Sequence, residues 1–185
     1  MINKYFHASN PLLLEEKHTM KKFGLMIAGI FLTQPCLASD NFTLYLVRHA
    51  EKQTDSKNPL LTQCGEERAR QLATLLSTAN IKSVYSTSYQ RTMSTAEPLS
   101  SKEKIAIEHY NPRELEQFSL HLKERKENAL IVGHSNTTPQ LTQLLSNQKV
   151  DDLTEKEYQM LYQVQFIEGK SQLTLFNQPL FCGQP

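Results

Sequence analysis

Two apolar runs in this chain end alike, and that pairing restricts the possible folds more than any other feature. Leu44-Tyr45-Leu46-Val47 leads into Arg48-His49, and Ala129-Leu130-Ile131-Val132-Gly133 leads into His134. Runs of β-type residues without polar alternation read as strands buried on both faces, the pattern of a parallel sheet. Small or polar residues follow each run, and then a helical pattern. In open α/β sheets the ligand crevice lies just beyond the C-terminal strand ends. If the two strands are neighbours, about 4.8 Å apart, their histidines stand side by side at that crevice with Arg48 beside them. Paired imidazoles and a fixed cation suit an anion such as phosphate.

Strand and helix signals alternate around these two runs. Phe42 to Val47 is the first expected strand, followed by a polar loop over 53–61 and a helix. That helix carries Ala69, Leu72, Ala73 and Leu76 on one face at i, i+3, i+4, i+7 spacing. A short strand follows over Ile81 to Tyr85. Ser86-Thr87-Ser88 then offers N-caps for a helix bearing Thr92, Met93, Ala96 and Leu99. With Ser88 as the cap, Arg91 falls at the third helical position. Ile105 to Ile107 suggests a third strand, and Pro112 opens a helix through Leu115, Phe118 and Leu122. Ser135-Asn136 can cap the helix bearing Leu141, Leu144 and Leu145. Tyr158 to Phe166 and Gln172 to Phe176 read as closing strands around the Glu168-Gly169-Lys170 turn. No linker or repeat interrupts this order, so residues 39–185 form one α/β domain.

Residues 1–38 read as targeting. Lys21-Lys22 precede an apolar run from Phe23 to Leu32, and Cys36-Leu37-Ala38 supplies small residues for cleavage after Ala38. Ten helical residues rise about 15 Å, half a hydrocarbon core of about 30 Å, so no stable membrane span is expected after cleavage. Met20, directly ahead of the lysines, is the expected start; lipidation at Cys36 is an alternative that Pro35 disfavours. The expected location is the periplasm or outside the cell. The whole chain has 20 basic and 19 acidic residues, a balance that gives no bulk field for nucleic acid. Cys64 and Cys182 remain after cleavage; in an oxidising compartment they can pair, or they can be separate small hydrophobes. Oligomeric state is not legible.

The polar residues define a chemistry. Arg48 and Arg91 can each offer a planar fork to phosphate, and helix starts near Arg91 and His134 offer free N–H groups. No cluster of carboxylates for Mg²⁺ is evident, and a zinc hydrolase built on the two histidines lacks a third ligand. A histidine nucleophile fits better, because nearby arginines favour the neutral imidazole that can attack phosphorus.

Four segments in order then resemble the histidine phosphatase superfamily, the phosphoglycerate-mutase-like fold. They are Leu46-Val47-Arg48-His49-Ala50-Glu51-Lys52, Pro59-Leu60-Leu61-Thr62-Gln63-Cys64-Gly65, Ser86-Thr87-Ser88 through Arg91-Thr92 to Thr95-Ala96, and Val132-Gly133-His134-Ser135. Thr87 stands where that pattern has serine and keeps the hydroxyl. The resemblance implies a three-layer α/β/α fold with a mostly parallel central sheet. It also implies a phosphomonoester hydrolase of histidine acid type, needing no metal or other cofactor. His49 would be the nucleophile that becomes phosphohistidine, with Arg48, Arg91 and His134 around the phosphate. Glu114, with Glu116 next, or else a water, would serve the leaving oxygen. The substrate would be a small-molecule or envelope phosphomonoester. A phosphate-binding protein of the same fold without turnover is the alternative.

Overall fold

Residues 41–179 and Cys182 are described by the computed structural model; the expected signal segment and cleavage site lie outside the described residues. Strand β1 (Phe42–Arg48) is followed by α1 (Gln63–Leu75), β2 (Ser83–Ser86) and α2 (Gln90–Glu103). Then come β3 (Ile107–His109), α3 (Leu115–Arg125), β4 (Ala129–Gly133) and α4 (Thr137–Ser146). The hairpin β5 (Met160–Ile167) and β6 (Lys170–Asn177) completes the order. The six strands form one sheet, β3-β2-β4-β1-β5-β6. The first four strands run parallel, and the hairpin adds on antiparallel beside β1.

Alternation along the central strands sends side chains to two cores. Leu44, Leu46 and Ile131 pack with Leu115, Phe118, Leu122, Leu141 and Leu145 of α3 and α4. Val47, Leu130 and Val132 pack with Leu72, Ala73, Ala96 and Leu99 of α1 and α2. Helices therefore cover both faces, which is the expected three-layer arrangement. Each of these large side chains, buried from water, contributes about 1.5–3 kcal/mol. Both faces of β1 and β4 are covered, which explains why their sequences are continuously apolar rather than alternating.

Several boundaries differ from the sequence reading, each for a local reason. Helix α2 is capped at Tyr89 rather than Ser88, so Arg91 is its second residue, not its third. Pro112 lies in the turn ahead of α3, which begins at Leu115 with Glu114 at the cap position. Asn136 occupies the cap position of α4, yet its side chain makes no capping bond. The Thr137 hydroxyl instead accepts from the His134 N–H at 3.0 Å. In the terminal hairpin Glu168 and Gly169 both have positive φ, 50° and 78°. That is the requirement of a two-residue type I′ turn, whose twist matches the flanking strands.

Cys64 and Cys182 are joined in a disulfide with Cα atoms 5.3 Å apart, so the pairing alternative holds. The bond spans 118 residues and ties the tail to the first turn of α1. Closing so long a loop removes about 4–5 kcal/mol of unfolded-state freedom in the chain-entropy account. Among the described residues no helix is long and apolar enough to cross a membrane.

Candidate active site

The two histidines follow strands that are direct neighbours. Arg48 of β1 pairs in register with Gly133 of β4, and the His49 N–H continues the ladder to the Gly133 carbonyl at 3.0 Å. The imidazole centroids are 5.8 Å apart, with planes at 67°. Gly133 lets two hydroxyls close on the end of β4: a Cβ there would meet the Thr138 hydroxyl at 2.7 Å and the Tyr110 hydroxyl at 2.8 Å. The histidines open on a hollow of about 400 Å³ that Arg48 and Arg91 also line. All four side chains singled out from the strand ends and the third motif are thus brought together.

His49 is 3% exposed, and its Nδ1–H donates to the Ala50 carbonyl at 2.8 Å. A carbonyl can only accept, so this bond fixes the tautomer and leaves the lone pair on Nε2. Burial, opposed in part by that bond and reinforced by the cations Arg48 and Arg91, holds the His49 pKa at about 3. The loop behind it is locked from two sides. The Ala50 N–H donates to the Thr95 hydroxyl at 2.9 Å. Arg68 of α1 grips the Glu51 carboxylate through Nε and Nη2, at 2.9 and 2.6 Å. Gly65 allows α1 to lie against this loop, since a Cβ there would fall on the Glu51 carbonyl.

His134 is held differently. Its Nε2 lies 3.0 Å from the Thr87 hydroxyl, and its Nδ1 lies 3.4 Å from Arg91 Nη2. Guanidinium only donates, so Nδ1 accepts and Nε2–H donates to Thr87. Thr87 is 2.9 Å from the Thr92 hydroxyl, which in turn donates to the Thr87 and Tyr89 carbonyls. Both threonines are fully buried. Burial and the cations Arg91 and Arg48 lower the His134 pKa to about 4. Thr87 and Thr95 therefore act from inside the motifs, and their roles could have been read there.

The two arginines are poised by aromatic rings. Arg48 is 2% exposed, its guanidinium 4.3 Å from the Tyr158 ring centroid. Its Nη1 donates to the carbonyls of Thr154 and Glu157 at 2.8 and 3.1 Å. Arg91 stacks 4.5 Å from the Tyr89 ring. The Nε of each arginine is buried without a partner. An unmet buried donor costs about 1–3 kcal/mol, more when charged.

Glu114 does not line this hollow. It borders neighbouring grooves beyond the Pro112-Arg113 turn, and Glu116 borders one of these too. The reason is the late start of α3: Pro112 and Arg113 face the hollow, while Glu114 begins the helix behind them. Lys52, Tyr89, Arg113 and Glu155 line the hollow but carried no signal in the sequence beyond the motifs. Among the described residues no three His, Cys, Asp or Glu side chains converge to hold a metal ion.

Comparison with known proteins agrees with the resemblance read from the motifs. Residues 44–116 match the model of the histidine phosphatase superfamily (branch 1). The fold is similar to that of an alpha-ribazole phosphatase from Shigella flexneri at 17% identity and a TM-score of 0.60. That match covers 77% of this chain and 100% of that one. A mycobacterial glucosyl-3-phosphoglycerate phosphatase matches at 11% identity and a TM-score of 0.61, covering 75% and 100%. The protein histidine phosphatase SixA, complexed with tungstate, matches at 15% identity and 0.59, covering 73% and 96%. No curated protein sequence matches this chain. The chain thus shares the phosphoglycerate-mutase-like fold of these structures, and its N-terminal half carries the match to the superfamily model.

Proposed function

We propose that this chain is a phosphatase that hydrolyses phosphomonoesters in two steps through a phosphohistidine on His49. The observation that carries this reading is the asymmetric pair of neutral imidazoles beside two arginines that line the same hollow. His49 presents a lone pair on Nε2 in a buried, tautomer-fixed ring. Phosphoryl transfer asks mainly for positioning and charge neutralisation. Arg48 and Arg91, both lining the hollow, supply the charge. His49 Nε2 attacks phosphorus in line with the ester oxygen. His134 donates to the phosphoryl oxygens once it carries a proton on Nδ1, with Thr87 steadying the ring from Nε2. A water then attacks the phosphohistidine and releases phosphate. No residue in this scheme calls for a metal, so activity is expected to persist in EDTA.

Incubation with a ³²P-labelled phosphomonoester, followed by quenching, is the direct test. Acid-labile label on His49, absent from His49→Ala, is expected; turnover by His49→Ala at the wild-type rate refutes the mechanism.

One observation favours a second reading, a phosphate-binding protein without turnover: Glu114 is not placed to protonate a leaving group. That reading predicts phosphate binding with no release from any ester.

Export to the periplasm or beyond belongs to the same proposal. The Cys64–Cys182 disulfide supports it, since such bonds persist in oxidising compartments. Intact-mass measurement should find Ser39 at the mature N-terminus. A panel of sugar phosphates, nucleotides, phosphoproteins and envelope-glycan phosphates would identify the substrate.

A further inference from the structure

Among the described residues, the hollow's lining contains one carboxylate, Glu155. Its Oε2 is 3.1 Å from Arg48 Nη2, although 78% of the side chain is exposed. The position is not an accident of a long side chain. Backbone carbonyls on either side of it, at Thr154 and Glu157, hold Arg48 Nη1. The turn is thereby fastened to the buried guanidinium, and Glu155 is carried over the hollow with it. The Glu157 carboxylate is committed elsewhere, accepting from the Thr154 N–H at 2.7 Å.

Charges around Glu155 come from several elements. Arg48 and His49 lie at the end of β1, Lys52 beyond it, Arg91 on α2, Arg113 ahead of α3 and His134 after β4. All are cationic or able to become so. Phosphate drawn into this set competes with Glu155 for Arg48. Two like charges at about 4 Å repel by roughly 1 kcal/mol in water and about 4 near a protein surface. An ionised carboxylate there would oppose the ligand the rest of the hollow attracts. One proton on that carboxylate removes the conflict and puts a donor next to bound phosphate.

Resting on the phosphohistidine reading above, we propose that Glu155 is the acid that protonates the leaving oxygen. As the bond from His49 Nε2 to phosphorus forms, the ester P–O bond breaks and the Glu155 proton passes to the departing oxygen. The alcohol leaves and Glu155 becomes a carboxylate. That carboxylate then takes a proton from the water whose oxygen attacks phosphorus. The P–N bond breaks, its electron pair returns to Nε2, and phosphate leaves with Glu155 protonated again.

The test compares leaving groups in the full mature chain. Glycerol 2-phosphate departs as a poor alkoxide and needs the proton; p-nitrophenyl phosphate departs as a stable anion and does not. Glu155→Gln should lose roughly 10²-fold in the single-turnover rate of His49 phosphorylation by glycerol 2-phosphate and less than about threefold in that by p-nitrophenyl phosphate. Glu155→Asp, which keeps the acid on a shorter arm, should fall between wild type and Glu155→Gln on the alkyl ester. Equal losses on both esters, or none on the alkyl ester, overturn the assignment. Label trapping on His49 separates the two claims. Wild type lacking labelled His49 sinks the phosphohistidine reading and this assignment with it. Labelled His49 with no leaving-group selectivity sinks only Glu155.

Discussion

The two strand ends that form the hollow are built for opposite kinds of behaviour. At the end of β1, His49 is tied to its own chain: Nδ1 to the next carbonyl, the loop to Thr95, and Glu51 to Arg68. At the end of β4, His134 is tied only through hydroxyl and guanidinium groups, at Thr87 and Arg91. The carbonyl keeps His49 Nδ1 protonated and its Nε2 lone pair free; on His134 the Nδ1 lone pair rests against the Arg91 guanidinium and gains a proton once that guanidinium turns to an anion, while Nε2–H stays on Thr87. A nucleophile needs the first arrangement, because its lone pair must always face one way. A group that stabilises developing charge needs the second, because its proton must come and go.

The sharpest way to break this contrast is to remove each ring. His49→Ala should abolish turnover, by at least about 10⁴-fold in kcat, whereas His134→Ala should cost roughly 10²–10⁴-fold. Steady-state kinetics with stopped, labelled enzyme checks both. Equal residual rates with label still trapped on His49 in neither variant would erase the division of labour.

Next in size is the fastening of the β1 side. The Cys64–Cys182 bond anchors the tail to α1, and Arg68 of α1 also reaches the Gln178 carbonyl at 3.5 Å. Cys64→Ser with Cys182→Ser should lower unfolding free energy by up to about 4–5 kcal/mol. Urea titration with and without reductant measures it; wild type indifferent to reductant would contradict a stabilising bond.

Smaller is the pH dependence of stability. Both histidines ionise lower in the folded protein, at about 3 and about 4, than the ordinary 6.5 of the unfolded chain. Above pH 6.5 both are neutral in either state, and their contribution is fully present. As pH falls toward 3 the unfolded chain gains protons that the folded one refuses, so stability declines across that window. His49→Gln should flatten the decline more than His134→Gln, since its shift is larger. An unchanged slope in both variants would show that the hollow does not hold the rings neutral.

The smallest effect should come from Thr87→Val, which leaves the His134 Nε2–H without its acceptor. Unmet, that donor costs about 1–3 kcal/mol, roughly 5- to 150-fold. The loss should fall on kcat, with label formation on His49 less affected than phosphate release.

The parts that were legible before the structure share a property: their signal is carried by neighbouring residues in the chain. Leu44–Val47 and Ala129–Val132 announce buried parallel strands because both faces are apolar. Arg91 lines the hollow but sits one position earlier in its helix than a Ser88 cap predicts, since Tyr89 takes the cap position. Glu114 lies outside the lining of the hollow for a related reason. Pro112 fits either the first turn of a helix or the turn ahead of it, and only packing decides which. Tyr158 and Glu155 reach Arg48 across more than a hundred residues of sequence. Glu155 comes from an irregular turn whose geometry is set by the guanidinium it encloses, so no periodicity marks it, and Tyr158, expected as the first residue of a closing strand, lies ahead of β5, which starts at Met160. The disulfide was likewise one of two open readings until the tail was seen against α1.

Gly133 has a consequence for how this protein can change over time. The space at its Cα is filled by the Thr138 and Tyr110 hydroxyls, at distances a methyl group could not share. Tyr110 is itself bonded to the Val132 carbonyl at 3.2 Å, so one added carbon would press on the strand that aims His134. A single-base path to alanine therefore leads to a chain that keeps its layers and loses its aim, a route by which a lineage could retain the scaffold while silencing the chemistry.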